Sequence, residues 1–183
     1  MHDFGRYASI TAVTDSVVEA KKILISRSGR YSGLLDVLGF HEGAPSSAFK
    51  PGDTWLALNP EQESLAAQID AAAAAGVTRA FLLLSEALAD EETLDAKLSA
   101  SGMDYTVMRT GAMVNEGSGG GLKLGELNMP VCEDVAREDV FRFVTEALTL
   151  PEASKRSFSL CPSEGAVSTL KQMRCLPRLA HPS

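Results

Sequence analysis

The sequence is sparing in the residues that make many sites legible. It has 3 Cys, 3 His and 1 Trp in 183 residues. Cys132, Cys161 and Cys175 are far apart and form no CxxC, which argues against a zinc ribbon or a thioredoxin-like motif. They are expected to be free thiols in a reducing compartment such as the cytoplasm. His2, His41 and His181 form no HxH or HxxxH pair, so no metal site is expected. Basic residues are the minority, 17 against 24 acidic, giving a net charge of -7. Nucleic-acid binders usually present a basic face, so no nucleic-acid partner is expected. No apolar run reaches the ~18 residues that a membrane-spanning helix needs. Met1 to Tyr7 lacks a basic region followed by an apolar core, so no signal peptide is expected. No repeat is visible. What remains is a soluble globular chain, 45% hydrophobic and 22% charged. At this length about 70% of the unfolded surface can be buried in one domain.

The pattern along the chain alternates strand and helix. Ala8 to Thr14 (ASITAVT) reads as a strand, and Asp15 or Ser16 would cap a following helix. Ile23 to Ser26 is strand-like. Tyr31 to Phe40 has Leu34, Leu35 and Leu38 at helical spacing and is expected to be a helix. Asp53 to Leu58 (DTWLAL) is a compact apolar strand. Asn59, Pro60 and Gln62 then form an N-cap, a first-turn proline and a capping-box partner, and Gly76 ends the helix. Thr78 to Ser85 (TRAFLLLS) and Tyr105 to Met108 (YTVM) are further strands, and between them Asp90 can cap a helix with Leu94 and Leu98 on one face and Gly102 past its end. Gly117 to Gly125 (GSGGGLKLG) reads as a surface loop. Arg137 to Leu148 is an amphipathic helix stopped by Pro151, and Ser157 to Cys161 is a last strand. Near-continuous apolar strands between helices predict a parallel sheet covered on both faces. Residues 1–164 form the expected domain, and 165–183 an arm or tail.

Three stretches, PGDTWLALNP with its helix and AAAAAGVTRAFLLLS, SGMDYTVMRTG, and AREDVFRFVTEALTLPEASKRSFSL, carry a family resemblance. The first resembles the fourth strand, helix and fifth strand of atypical short-chain dehydrogenase/reductase proteins, the NmrA-like NAD(P)-binding group, with Ser85 at the strand end. The second is similar to that family's "ldyTilRpG" segment, matched at Tyr105, Thr106, Arg109 and Gly111. The third resembles "sreDvA…v.aL..p...gktfel", matched at Arg137, Asp139, Val140, Ala147, Leu148, Pro151 and Phe158. The resemblance implies an α/β, Rossmann-like, doubly wound and mostly parallel sheet, compressed at its N-terminal part. It also admits the plastid stroma as a location.

Two features depart from that family. Its phosphate turn is glycine-rich because glycine lets the backbone approach a pyrophosphate. Here the turn reads Thr14-Asp15-Ser16-Val17-Val18-Glu19, without glycine. A carboxylate ~4 Å from a phosphate costs ~4 kcal/mol at an effective dielectric near 20, about three decades of affinity. The wider family's YxxxK pair, an acid/base tyrosine with its lysine, is also missing. Tyr105 has Arg109 four residues on, but in a strand those two lie about 13 Å apart. The expectation is therefore a non-catalytic, pseudoenzyme-like scaffold or accessory subunit with protein partners and no cofactor. The alternative is an NADP(H)-binding oxidoreductase or redox sensor. If a dinucleotide binds, Thr14, Arg27, Arg30, Asn59, Ser85, Arg109 and Gly111 are the expected contacts, with Arg27 and Arg30 placed after the second strand to read a 2′-phosphate.

Overall fold

The computed structural model describes residues 10–14, 35–39, 49–58, 60, 62–85, 91–115, 120–125, 134–148 and 150–163. Among these, β1 (Ile10–Thr14), β2 (Leu35–Gly39), β3 (Thr54–Leu58), β4 (Arg79–Leu84), β5 (Asp104–Thr110), β7 (Gly121–Gly125) and β9 (Arg156–Ser163) form one seven-stranded sheet. Its order is β2-β1-β3-β4-β5-β9-β7. Every pairing is parallel except that of β7 with β9. β6 (Met113–Val114) and β8 (Val135–Ala136) make a separate short parallel pair. The fold is the doubly wound α/β arrangement expected.

Apolar periodicity explains the layers. Along β3, β4 and β5 alternate residues serve opposite faces. Leu56, Leu58, Phe81, Leu83 and Met108 pack with Val140, Phe141, Val144 and Leu148 of α3 (Arg137–Leu148). Trp55, Ala57, Ala80, Leu82, Tyr105 and Val107 pack on the other side with Leu65, Ile69 and Ala72 of α1 (Gln62–Ala74) and Leu94 and Leu98 of α2 (Glu91–Ala100). Both faces are thus dry, as a parallel sheet requires. Phe143 and Phe158 meet edge to face, centroids 6.0 Å apart, and fasten α3 to β9.

α1 ends as its glycine predicts. Gly76 has φ +80°, with Val77 N–H donating to Ala72 O and Gly76 N–H to Ala73 O, both at 3.0 Å. That pair of bonds is the Schellman motif, which satisfies two otherwise orphaned carbonyls. Gly102 follows α2 with φ +73°, and the next N–H, of Met103, donates to Ser101 Oγ at 3.2 Å.

Three expectations are corrected. Leu35 to Gly39 is a strand, not part of a helix, and pairs with β1 from Ile10↔Leu35 to Thr14↔Gly39. A short apolar run fits either period, and pairing with β1 decides it. Gly121 to Gly125 is likewise not loop but the antiparallel edge strand against β9. Finally, Cys161 is disulfide-bonded, not a free thiol. Its partner lies outside the described residues, and the ground for a reducing compartment goes with the free thiol. No helix among the described residues is long and apolar enough to cross a membrane.

Two outcomes follow for stability. A Cβ at Gly76 would meet Pro51 Cα at an ordinary 3.6 Å, so only backbone strain opposes it. Gly76→Ala should therefore lose about 1–2 kcal/mol in urea unfolding. Peptide mapping without reductant should recover Cys161 in a disulfide-linked pair, and reduction should cost about 2–4 kcal/mol of stability.

Candidate functional site

In an open α/β sheet the chain's reversal of direction opens a crevice beyond the carboxyl ends of the strands. Here β2 lies on one side of β1 and β3 on the other, so the reversal falls at β1. Thr14, the last residue of β1, is paired with Gly39 of β2 and with Leu58 of β3. One strand further on, β4 ends at Leu84, and half-buried Ser85 follows at a bend. β5 ends with Arg109 and Thr110, then buried Gly111. Thr14, Ser85, Arg109 and Gly111 thus lie on one edge of the sheet. That convergence is what parallel strands in near-flush register impose.

Arg109 pairs in register with Leu84 and is half-buried. Burial lowers its pKa from the ordinary arginine value, because desolvation disfavours the charged guanidinium. Strand alternation puts Arg109 on the α1/α2 face with Tyr105 and Val107. Thr110 takes the α3 face with Met108 and Thr106. Thr110 is 4% exposed, and its Oγ1 is buried with no hydrogen-bond partner among the described residues. Thr106, on the same face, shows the usual arrangement, with its hydroxyl donating to Ala153 O at 2.6 Å.

Tyr105 lies apart from this edge. It is 4% exposed among α1 and α2 side chains, its hydroxyl 3.2 Å from Ser99 Oγ, so its role is packing. Asn59 directly follows β3 in the chain but lies outside the described residues, as do Arg27 and Arg30. The two arginines precede β2 in the chain, and the strand expected at Ile23 to Ser26 ahead of them also lies outside the described residues. Thr110 escaped the sequence reading. Its only signal was a threonine where the resembling segment "RpG" has a proline.

The outer wall of this edge is tied to α3. Arg142 Nη2 donates to Asp139 Oδ1 at 2.7 Å and to Gly120 O at 3.0 Å, just ahead of β7. Asp139 is 4% exposed. The matched aspartate of the third stretch therefore fixes the bridge from helix to edge strand.

The comparisons with known proteins bear on the fold and the family. A family profile described as NAD(P)H-binding matches residues 46–151, more than half of the chain. The chain belongs to this NAD(P)H-binding family. The match takes in β3, β4, β5 and α3, and begins after β1 and β2. No curated protein matches. Among solved structures, the chain is similar to a Bacillus halodurans protein provisionally described as an NAD-dependent epimerase/dehydratase. The TM-score is 0.67 and the identity 16%, over 92% of this chain and 100% of that one. It is also similar to a Rossmann-fold NAD(P)-binding family protein from Shigella flexneri, at TM-score 0.60 and 17% identity, over 88% and 97%. A third is a wide-type short-chain dehydrogenase/reductase from Veillonella parvula in complex with NADP. There the TM-score is 0.63 and the identity 12%, over 88% of this chain and 97% of that one. At such identities the likeness is one of fold.

The Arg142 bridge and the exposed Lys97–Asp70 pair should separate in energy. Arg142→Met removes the partner of a buried carboxylate and should cost about 1–3 kcal/mol in chemical denaturation. Lys97→Met removes a 2.8 Å pair whose side chains are 35% and 66% exposed. It should cost less than about 1 kcal/mol.

Proposed function

We propose that this chain is an NAD(P)H-binding oxidoreductase or redox sensor of the atypical short-chain dehydrogenase/reductase type. The observation that carries the reading is the switch point at β1 in a member of an NAD(P)H-binding family. At the edge, half-buried Arg109 and buried Gly111 fit a dinucleotide. Thr14, Asn59, Ser85, Arg109 and Gly111 would hold the cofactor along this edge. Arg27 and Arg30 remain candidates from the β1–β2 connection.

The expectation of a non-catalytic scaffold rested on the glycine-free turn, the missing YxxxK pair and short length. Length does not support it. The Veillonella parvula protein is in complex with NADP, and 97% of its chain is matched. A chain of this compass is enough for that ligand in that protein. The glycine-free turn sets a cost in affinity that contacts elsewhere along the edge would have to offset.

When bound, the reduced nicotinamide supplies a hydride to the substrate. The chain's own part is to bind the dinucleotide along the carboxyl edge, orient it and shield the reacting end from water. With no YxxxK pair and Tyr105 packed away, no tyrosine among the described residues serves as the acid. Calorimetric titration with NADPH and with NADH tests the reading. A saturable Kd within roughly 1 μM to 1 mM is expected for one of them. At a hundredfold excess over Kd the ligand should add about 2.7 kcal/mol of stability. The absence of both binding and stabilisation at millimolar cofactor would overturn it.

A further inference from the structure

At the carboxyl edge β9 runs past the end of β5. Thr110 pairs with Leu160, and Cys161 comes next. Lys123 of the antiparallel strand β7 stands directly opposite Cys161. Such register partners share a face, with Cβ atoms about 4.5–5.5 Å apart. Phe158, Leu160, Leu122 and Leu124 belong to the layer under α3, so Cys161 and Lys123 belong to the other face. Arg109 pairs with Ser159, two residues before Cys161, and lies on that same face. It is a diagonal neighbour of Cys161, about 7–8 Å away and within reach of a long side chain.

Two cations therefore flank a sulfur that is disulfide-bonded and 4% exposed. Lys123 is exposed and Arg109 half-buried. They are the charged groups of this face among the described residues of β5, β7 and β9, and Tyr105 is packed away on Ser99. On the same side α2 carries Glu92 and Asp95, both exposed and so screened by solvent. Burial by itself favours a neutral thiol, whereas nearby lysine and arginine favour the thiolate. The cations thus act on the reduced form of the bond. A disulfide opens faster when the departing sulfur is a stabilised thiolate.

We propose that the Cys161 disulfide is a site of thiol–disulfide exchange with a dithiol of low molecular weight, with Lys123 and Arg109 holding Cys161 as the leaving thiolate. One thiolate of the dithiol attacks the other sulfur of the bond, and Cys161 departs with the electron pair. The second thiolate of the dithiol then closes on the mixed disulfide and releases the other cysteine. The chain gains two electrons, and the dithiol leaves as its cyclic disulfide. Of the two protons the dithiol gives up, one goes to the released cysteine and one to solvent. The burial of Cys161 directs attack to the other sulfur and suits a small reductant better than a protein. The chain has 3 cysteines, so the other sulfur is that of Cys132 or Cys175, and the chemistry is the same with either. The exchange needs no dinucleotide and goes beyond the cofactor reading.

The test follows reduction of the full, oxidised chain by dithiothreitol without denaturant, with alkylation and mass spectrometry reading Cys161. Wild type should open while circular dichroism shows it still folded. Lys123→Gln should slow reduction about 2- to 5-fold, the span of an exposed charge interaction. Lys123→Arg should match wild type, and Arg109→Met should slow reduction as Lys123→Gln does. In graded buffers of reduced and oxidised dithiothreitol, Lys123→Gln should need more reductant at its midpoint. That gap should widen from about pH 7 to about pH 9, across the ordinary thiol pKa near 8.5, because only the thiolate feels the charge. High salt should narrow it. Lys123 is exposed, so the Tm of Lys123→Gln should equal that of wild type, where a structural role would lower it and leave the pH dependence unmoved. A bond that opens only in denaturant would overturn the proposal. So would equal rates and midpoints for wild type and Lys123→Gln across that pH range.

Discussion

The parallel pairing of β3, β4 and β5 is the constraint on which the rest depends. Their interior residues, from Trp55 to Leu58, Ala80 to Leu83 and Val107 to Met108, are at most 2% exposed. Strands so apolar on both faces need cover on both, and the chain supplies it with α1 and α2 on one side and α3 on the other. Parallel strands also need a crossover between each pair, so every strand in this ladder starts at one edge and ends at the other. The ends collect polar groups because hydrogen bonding and packing there are incomplete. Ser85, Arg109 and Thr110 reach one edge for that reason, though they are far apart in sequence.

The same constraint accounts for the opposite edge, which is closed and structural. Arg79 lies over the Phe81 ring, 4.5 Å from its centroid, and Nη2 donates to Leu150 O. Arg156 is 4% exposed, and its Nε donates to Glu152 O at 3.1 Å. Both arginines clamp the turn between α3 and β9. The contrast with Arg109 is instructive. Three arginines sit at strand ends, and what differs is which end, since only the carboxyl end borders the crevice at the switch point.

Legibility in the sequence followed the strength of periodicity. α3 was plain from Val140, Phe143, Val144 and Ala147, which recur at helical spacing between a polar start and Pro151. β3, β4 and β5 were plain from apolar density, and α1 from its terminal glycine. β2 was not, because Leu34, Leu35 and Leu38 suit a helix as well as a strand, and the deciding partner, β1, is distant in sequence. β7 was hidden by its glycines, which weaken a strand alone but are tolerated where β9 offers a ladder. The carboxyl edge was partly legible: Ser85, Arg109 and Gly111 were named by resemblance to a family pattern, whereas Thr110 was passed over because it breaks that pattern.

The sequence by itself determined the α/β class, the placing of the three described helices and the membership of the stretch that matches an NAD(P)H-binding family. Local periodicity and helix-end chemistry are short-range, so they are written directly in neighbouring residues. Strand order, the reversal at β1 and the pairing of Cys161 with Lys123 were decided only in the tertiary structure. They depend on which strands pair and in what register, and that is set by burial summed over the whole sheet rather than by any one segment. Length pointed toward a scaffold. The folded chain directs attention instead to the carboxyl edge, where a half-buried cation and a buried hydroxyl belong to opposite faces of the same strand.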